Sequence, residues 1–290
     1  MVAEQKVWLI TGTSTGFGKC LVASVLARGD LVIATVRHLK DFSLNDVDRS
    51  RLHVIVLDVK GPEETIRHKL AAAWEVWGRI DVLVNNAGYV SKCLIEEAGL
   101  STAQEQFDIN FFGVLKVTNA VLPRMRARKS GLIVMMGSRS VWQADIPTAA
   151  YYIASKAAIH AFSETLAAEV SQFGIRVLLL VTGGFRTSQE KQIYKADTHV
   201  SDYDGFRERI IDTIDNAFVR SRNDPAKAME ALTDVVRSEG KAEGAELPQM
   251  LLLGPTTFIQ ARAHAEKLTA NASQWEEIGT DMEFDTPKVD

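Results

Sequence analysis

The chain has 290 residues, is 46% hydrophobic and carries a formal net charge of -4. It can therefore bury a large core, and it has no basic field to attract nucleic acid. Its two cysteines, Cys20 and Cys93, and its six histidines are scattered, which leaves no recognisable metal-site spacing and fits a reducing, cytoplasmic setting.

No apolar run approaches the roughly 20 residues of a membrane span. A first strand starting at Val7 leaves no room for a signal peptide. In chain order, the apolar runs Val7–Ile10, Leu31–Val36, Leu52–Leu57, Ile80–Val84, Leu132–Met136, Ile175–Val181 and Met250–Leu253 read as seven strands. Continuous apolarity marks strands buried on both faces. Amphipathic stretches separate them. Cys20 to Ala27 closes on Gly29, and Pro62 opens a stretch that runs to Gly78. Ser101 and Gln104 form a capping-box pattern for a long helix reaching about Arg128, and another helix follows Pro147 and ends at Gly174. This alternation predicts a doubly wound α/β fold, a parallel sheet with helices on both faces. No repeat or low-complexity linker divides the chain, so 1–290 is expected to be one domain.

Two regions break the rhythm. Residues 188–223 are polar, carry Tyr194, Tyr203 and Phe206, and follow the sixth strand. Ligands bind at that edge of such a sheet, so this stretch reads as a lid-like insertion; the alternative is a surface insertion of no catalytic consequence. The tail, 256–290, is expected to be helical to about Trp275 and then acidic, packed outside the core with Trp275 as an anchor.

Thr11-Gly12-Thr13-Ser14-Thr15-Gly16-Phe17-Gly18 joins the first strand to the first helix. Such a turn points backbone N–H groups and a helix N-terminus at a phosphate pair. Gly12 allows the tight turn, Gly16 lets a pyrophosphate approach, and Gly18 lets the helix pack on the strand. Tyr152 and Lys156 are four apart on a helix and share a face. A phenol is a poor base at neutral pH, and a nearby ammonium is expected to lower its pKa. The pair would then serve as a general acid–base unit for an alcohol or ketone oxygen. Ser138, at the end of the fifth strand, would bond the reacting oxygen. Asn110 sits inside a helix at some cost, which suggests a task such as holding a water beside the lysine; a cross-helix hydrogen bond is the alternative. Asn85-Asn86-Ala87-Gly88 ends the fourth strand, where Ala87 and Gly88 let a ribose or adenine approach. Asp58, followed by Val59, ends the third and would accept from an adenine amino group.

Together the glycine turn, Asn85-Asn86-Ala87-Gly88, Asn110, the serine after the fifth strand and Tyr152-x-x-x-Lys156 resemble the short-chain dehydrogenase/reductase superfamily in order and spacing. The resemblance covers Val7 to about Thr187. Weaker similarity through Leu251-Leu252-Leu253-Gly254 and the tail looks like the 17β-hydroxysteroid dehydrogenase and carbonyl reductase members. It implies a Rossmann-type fold, a small-molecule carbonyl or alcohol substrate, and a homodimer or homotetramer. It also implies Tyr152 as proton donor or acceptor, Lys156 on the nicotinamide ribose, Ser138 on the carbonyl and Asn110 in a proton relay. Gly183, Phe185 and Thr187 would meet the nicotinamide. In the family the serine usually stands thirteen residues before the tyrosine, a place held here by Arg139. Strand register favours Ser138, with Ser140 left open. Tyr151 adjoins Tyr152 but lacks the lysine four residues on, and Thr182 stands where proline is usual. A cofactor-sensing regulator with a decayed site is the rival reading.

The cofactor expectation is NADP(H) over NAD(H). An acidic residue ending the second strand would bind a ribose 2′-hydroxyl and repel a 2′-phosphate. This chain has Thr35-Val36-Arg37 there. Arg37 is suited to a phosphate, and Thr35 would add a neutral bond. Asp30 lies at the wrong end of the strand. Trp142, Ile146, Phe185, Tyr194, Tyr203 and Phe206 are candidates for an apolar substrate pocket. Phe111, Phe112, Val114, Phe162 and Leu166 are expected on the outer face of the two long helices, where a second copy would cover them.

Overall fold

The computed structural model describes residues 4–45, 47–187, 194–219, 221–282 and 284. The strands β1 (Val7–Ile10), β2 (Leu31–Val36), β3 (Leu52–Val56), β4 (Val82–Asn85), β5 (Gly131–Met136), β6 (Ile175–Thr182) and β7 (Met250–Leu253) form one sheet in the order β3-β2-β1-β4-β5-β6-β7. All its pairings are parallel. The seven expected strands are therefore present, with ends moved by a residue or two.

The helices are α1 (Gly16–Ala27), α2 (Glu63–Glu75), α3 (Leu100–Phe107), α4 (Gly113–Arg128), α5 (Ala150–Val170), α6 (Asp204–Val219), α7 (Pro225–Arg237) and α8 (Pro255–Thr280). Side chains alternate across each strand. Val7 and Leu9 face the core under α2, α4 and α5, with Ile66, Val117 and Ile159. Trp8 and Ile10 face the core under α1 and α7, with Leu21, Val25, Met229 and Leu232. The central strands are buried on both faces, as their continuous apolarity predicts. The edges are not: Val56 of β3 and Met250 of β7 are exposed.

Several local expectations change. The long helix from Ser101 is α3, a π-helical turn at Asp108–Phe112, and α4 in succession. No capping box starts it. Gly99 is the N-cap, and the Ser101 hydroxyl donates to Asp197 Oδ2 (3.1 Å) instead of to the helix. Val114 and Leu166 are core residues, because that flank of each helix faces the sheet. Phe111 packs edge-on against Phe162 (6.0 Å), and Phe112 stays exposed. Trp275, expected as an anchor, is 52% exposed. α8 is held through its first turn, where buried Thr257 donates to the Leu253 carbonyl (2.7 Å), and it runs on past the body. α7 answers a pattern that the expected elements omit: Asp224 caps Ala226 N–H, Pro225 opens the helix, and Ala228, Met229, Leu232 and Val236 are buried at helical spacing.

Of the lid-like stretch, 188–193 and 220 lie outside the described residues. The rest contains α6 and is tied to the loop before α3. Glu97, fully buried, accepts from Arg207, from the Tyr194 hydroxyl and from Val200 N–H (3.0 Å). The Arg207 bonds hold its carboxyl well below the usual range, at about 2.

Candidate active site

The C-terminal ends of β1, β4, β5 and β6 open on a cleft of about 590 Å³. The glycine turn lies in its wall, through Gly12, Ser14, Thr15, Gly16 and Phe17. Gly12 and Gly16 have φ of +69° and +56°, values that side-chain-bearing residues avoid. Gly18 stands behind the wall. A Cβ there would overlap the Gly12 carbonyl and lie 2.6 Å from Asn86 Nδ2. That amide donates to Thr11 O (2.8 Å) and Gly12 O (2.9 Å), so it stitches β4 to the turn. No side chain caps α1. Its first N–H groups, which have no intrahelical acceptor, are free for an anion.

Arg37, Asp58, Val59, Asn86, Ala87 and Gly88 line the same cleft, as do Ser138, Tyr152 and Lys156, and Gly183, Phe185 and Thr187. Arg37 is exposed at the rim. Thr35 is buried, and its hydroxyl accepts from Gly12 N–H (3.3 Å), so it supports the turn. Asp30 is fully buried at the far end of β2, where it accepts from Trp8 Nε1 (2.9 Å) and Arg237. Gly183 N–H donates to Leu253 O (2.9 Å), and the Gly184 carbonyl accepts from Asn223 (2.6 Å) and Ser221 (2.9 Å). Phe185 is buried edge-on against Phe17 (5.2 Å). Among the apolar-pocket candidates, Ile146 and Phe185 line the cleft. Trp142 instead packs on His160 (5.9 Å). Tyr194 and Tyr203 bond Glu97 and Glu96, and Phe206 is 37% exposed.

Asn110 is buried behind the cleft in the π-helical turn. Its carbonyl accepts from Tyr89 N–H (3.0 Å), and its amide donates to Tyr89 O (2.9 Å) and Ser155 Oγ (3.2 Å). These are the cross-element bonds of the alternative reading; they clamp the β4 loop to α5. Lys156 Nζ donates to Met136 O (2.7 Å) and stands 5.9 Å over the Tyr152 ring. Burial pulls its pKa down to about 8. The expected sign of the Tyr152 shift is wrong for this state. Burial raises the phenol, while the Ser138 hydroxyl and the Arg139 charge pull it down more weakly. Burial is the largest of these effects, so the net shift is upward. Tyr152 is thus a neutral phenol at pH 7, a form that donates a proton. Between the two serines, Ser138 is the one facing that phenol. Ser140 also lines the cleft and bonds Ser138 Oγ (2.8 Å).

His160 was absent from the sequence reading, although it lies one further i,i+4 step beyond Tyr152 and Lys156. Its Nε2 accepts from Ser138 N–H (3.2 Å), which fixes the end of β5. Burial, aided by the Lys156 charge, lowers its pKa from 6.5 to about 4. A depressed pKa means that the unfolded chain binds the proton first. Stability is therefore full above pH 6.5 and falls as pH drops toward 4, by roughly 3 kcal/mol for this residue. Urea unfolding of wild type and His160→Asn at pH 7 and pH 4.5 should give a smaller pH loss in the variant. Equal losses would contradict this.

A parallel sheet in this order, with a glycine turn and a bare helix N-terminus at the β1/β4 switch point, defines a dinucleotide-binding fold. A family model described as short chain dehydrogenase matches residues 6–198. The chain is 30% identical over 275 residues to oxidoreductase BOA17 of Botryotinia fuckeliana, covering 94% of this chain and 97% of that one. A short-chain dehydrogenase structure from Streptomyces avermitilis superposes with a TM-score of 0.82 at 32% identity, covering 97% of this chain and 100% of that one. Two others share the fold alone. One, from Burkholderia cenocepacia in complex with NADP, has a TM-score of 0.71 at 22% identity, with 93% and 97% coverage. The other, from Burkholderia phymatum in complex with NAD, has a TM-score of 0.78 at 18% identity, with 93% and 96% coverage. The chain belongs to the short-chain dehydrogenase family, and so is an NAD(P)-dependent dehydrogenase or reductase. The glycine cradle and the uncapped α1 fit such a cofactor. Among the described residues, no helix is long and apolar enough to cross a membrane.

Proposed function

We propose that this chain transfers hydride between NADP(H) and a carbonyl or secondary-alcohol substrate, with Tyr152 as general acid and base. The observation that carries the reading is a single cleft shared by Ser138, Tyr152 and Lys156, the glycine turn and Arg37. The nicotinamide supplies the hydride chemistry, and the protein supplies position and charge. Gly12 and Ser14 to Phe17 would hold the pyrophosphate, with Gly18 packed behind them. Asp58, Val59 and Asn86 to Gly88 would hold the adenosine. Lys156, Gly183, Phe185 and Thr187 would hold the nicotinamide riboside. Ser138 orients the substrate oxygen, and the neutral Tyr152 phenol gives it a proton in the reductive direction. The Lys156 ammonium, close over the ring, favours the phenolate that results. Asn110 supports this end of the cleft through Tyr89 and Ser155. The segment that contains α6 acts as a lid, since Ile214 of α6 and Lys195 before it reach the cleft.

Arg37 decides the cofactor through charge-assisted bonds to the 2′-phosphate. Wild type should show a higher kcat/KM with NADPH than with NADH. Arg37→Ala should shrink that ratio tenfold or more, a loss of about 1.4 kcal/mol. A preference for NADH, or a ratio unmoved by the substitution, would reject the assignment.

The protein is cytoplasmic in this reading, with Cys20 and Cys93 both free thiols. It is also a homo-oligomer. Exposed apolar residues support that, notably Phe112 at the head of α4 and Leu268, Trp275 and Ile278 along α8. Light scattering at micromolar concentration should give a multiple of 32.0 kDa. A mass of one chain would reject it.

A further inference from the structure

Arg139 follows Ser138 directly and lines the same cleft. It occupies the position thirteen residues before Tyr152. Its Nη1 donates to the Gln143 side-chain carbonyl (2.8 Å), a neutral partner. Burial pushes its pKa down, and Tyr152 is the group that offsets this; among the described residues no carboxylate contributes. Among the described residues of the cleft, Glu105 is already taken by Lys60 (2.9 Å) and Lys195 (3.3 Å). A half-buried guanidinium whose side-chain partner among the described residues is an amide has lost hydration without an opposite charge from them in return. Its remaining N–H groups form a planar fork suited to a carboxylate. Ile146 and Ile214 add apolar wall to the same cleft.

We infer that Arg139 is an anion anchor at the substrate end of the cleft, and that the preferred substrate joins its reacting carbonyl or alcohol to an apolar body bearing a carboxylate. This rests on the reductase reading above and names its substrate class. The carboxylate takes no part in the bond changes, so the reaction remains carbonyl plus hydride plus proton giving the alcohol.

The test pairs an acid with its ester on one skeleton: 4-acetylbenzoate against methyl 4-acetylbenzoate, with NADPH, in wild type, Arg139→Gln and Arg139→Lys. Wild type should favour the acid tenfold or more in kcat/KM. Arg139→Gln should reduce that ratio to within twofold, and Arg139→Lys should keep part of it. In parallel, benzoate is titrated into the NADPH-loaded proteins by calorimetry, with a tenfold or greater weakening expected in Arg139→Gln. An acid-to-ester ratio and a benzoate affinity both unmoved by Arg139→Gln would overturn the anchor and leave the reductase standing. Benzoate binding that depends on Arg139, in a protein that reduces neither ketone, would uphold the anchor and remove the reductase reading. Benzoate binding independent of Arg139 in such a protein would overturn both.

Discussion

Tyr152→Phe is expected to lower kcat by about 10²–10⁴-fold while NADPH binding persists. Phenylalanine keeps the ring that Lys156 stands over and removes only the transferable proton. The environment makes the size of the loss plausible. Burial raises the phenol's pKa, and the Ser138 hydroxyl faces it, so the proton is held on oxygen at neutral pH beside a group able to orient a substrate carbonyl. The same geometry separates the serines. Ser138→Ala should cost far more turnover than Ser140→Ala, because Ser138 faces the Tyr152 phenol, whereas Ser140, also in the cleft wall, bonds Ser138 Oγ. Single-turnover reduction and NADPH fluorescence titration would separate chemistry from binding. A Phe variant within a few fold of wild type would remove Tyr152 from its role.

The second large effect is expected from one methyl group. In Gly18→Ala, the new Cβ would overlap the Gly12 carbonyl and press on the Asn86 amide that ties β4 to the glycine turn. These are backbone and buried neighbours, so they have little room to yield. Overpacking of this kind costs about 1–3 kcal/mol, occasionally more. The strain falls on the turn that holds the pyrophosphate, so NADPH affinity should weaken tenfold or more as well. Gly279→Ala is the control. A Cβ there meets nothing within 4 Å, and a helical glycine-to-alanine change stabilises if anything. Urea unfolding and NADPH titration report both quantities. A Gly18→Ala protein as stable and as tightly loaded as wild type would refute the packing argument.

What was legible in the sequence was local. Buried parallel strands announce themselves as short apolar runs, and the glycine turn, Tyr152 and Lys156 carry their geometry in their spacing. All seven strands follow from that, as does the meeting of the glycine turn with Ser138, Tyr152 and Lys156 in one cleft. What was not legible depends on partners far along the chain. Glu97 meets Arg207 across 110 residues, and no spacing predicts that the polar stretch after β6 contains α6 clasped to the α3 loop. Asn110 finds its partners in Tyr89 and Ser155 because a π-helical turn rotates it there. The sign of the Tyr152 shift depends on burial, which is not visible in a tyrosine–lysine pair. Trp275 looks like an anchor by composition, yet the body ends before α8 does. His160 is different: the i,i+4 step that linked Tyr152 to Lys156 reaches it too.

The central claim is hydride transfer to a carbonyl in this cleft, and isotope transfer tests it most directly. The protein is incubated with NADPH carrying two deuteriums at nicotinamide C4 and a panel of ketones that includes 4-acetylbenzoate, and the products are read by mass spectrometry. The account predicts an alcohol carrying one deuterium on the former carbonyl carbon, formed by wild type and lost in Tyr152→Phe. NADPH that binds the cleft but passes no deuterium to any carbonyl in the panel would contradict it.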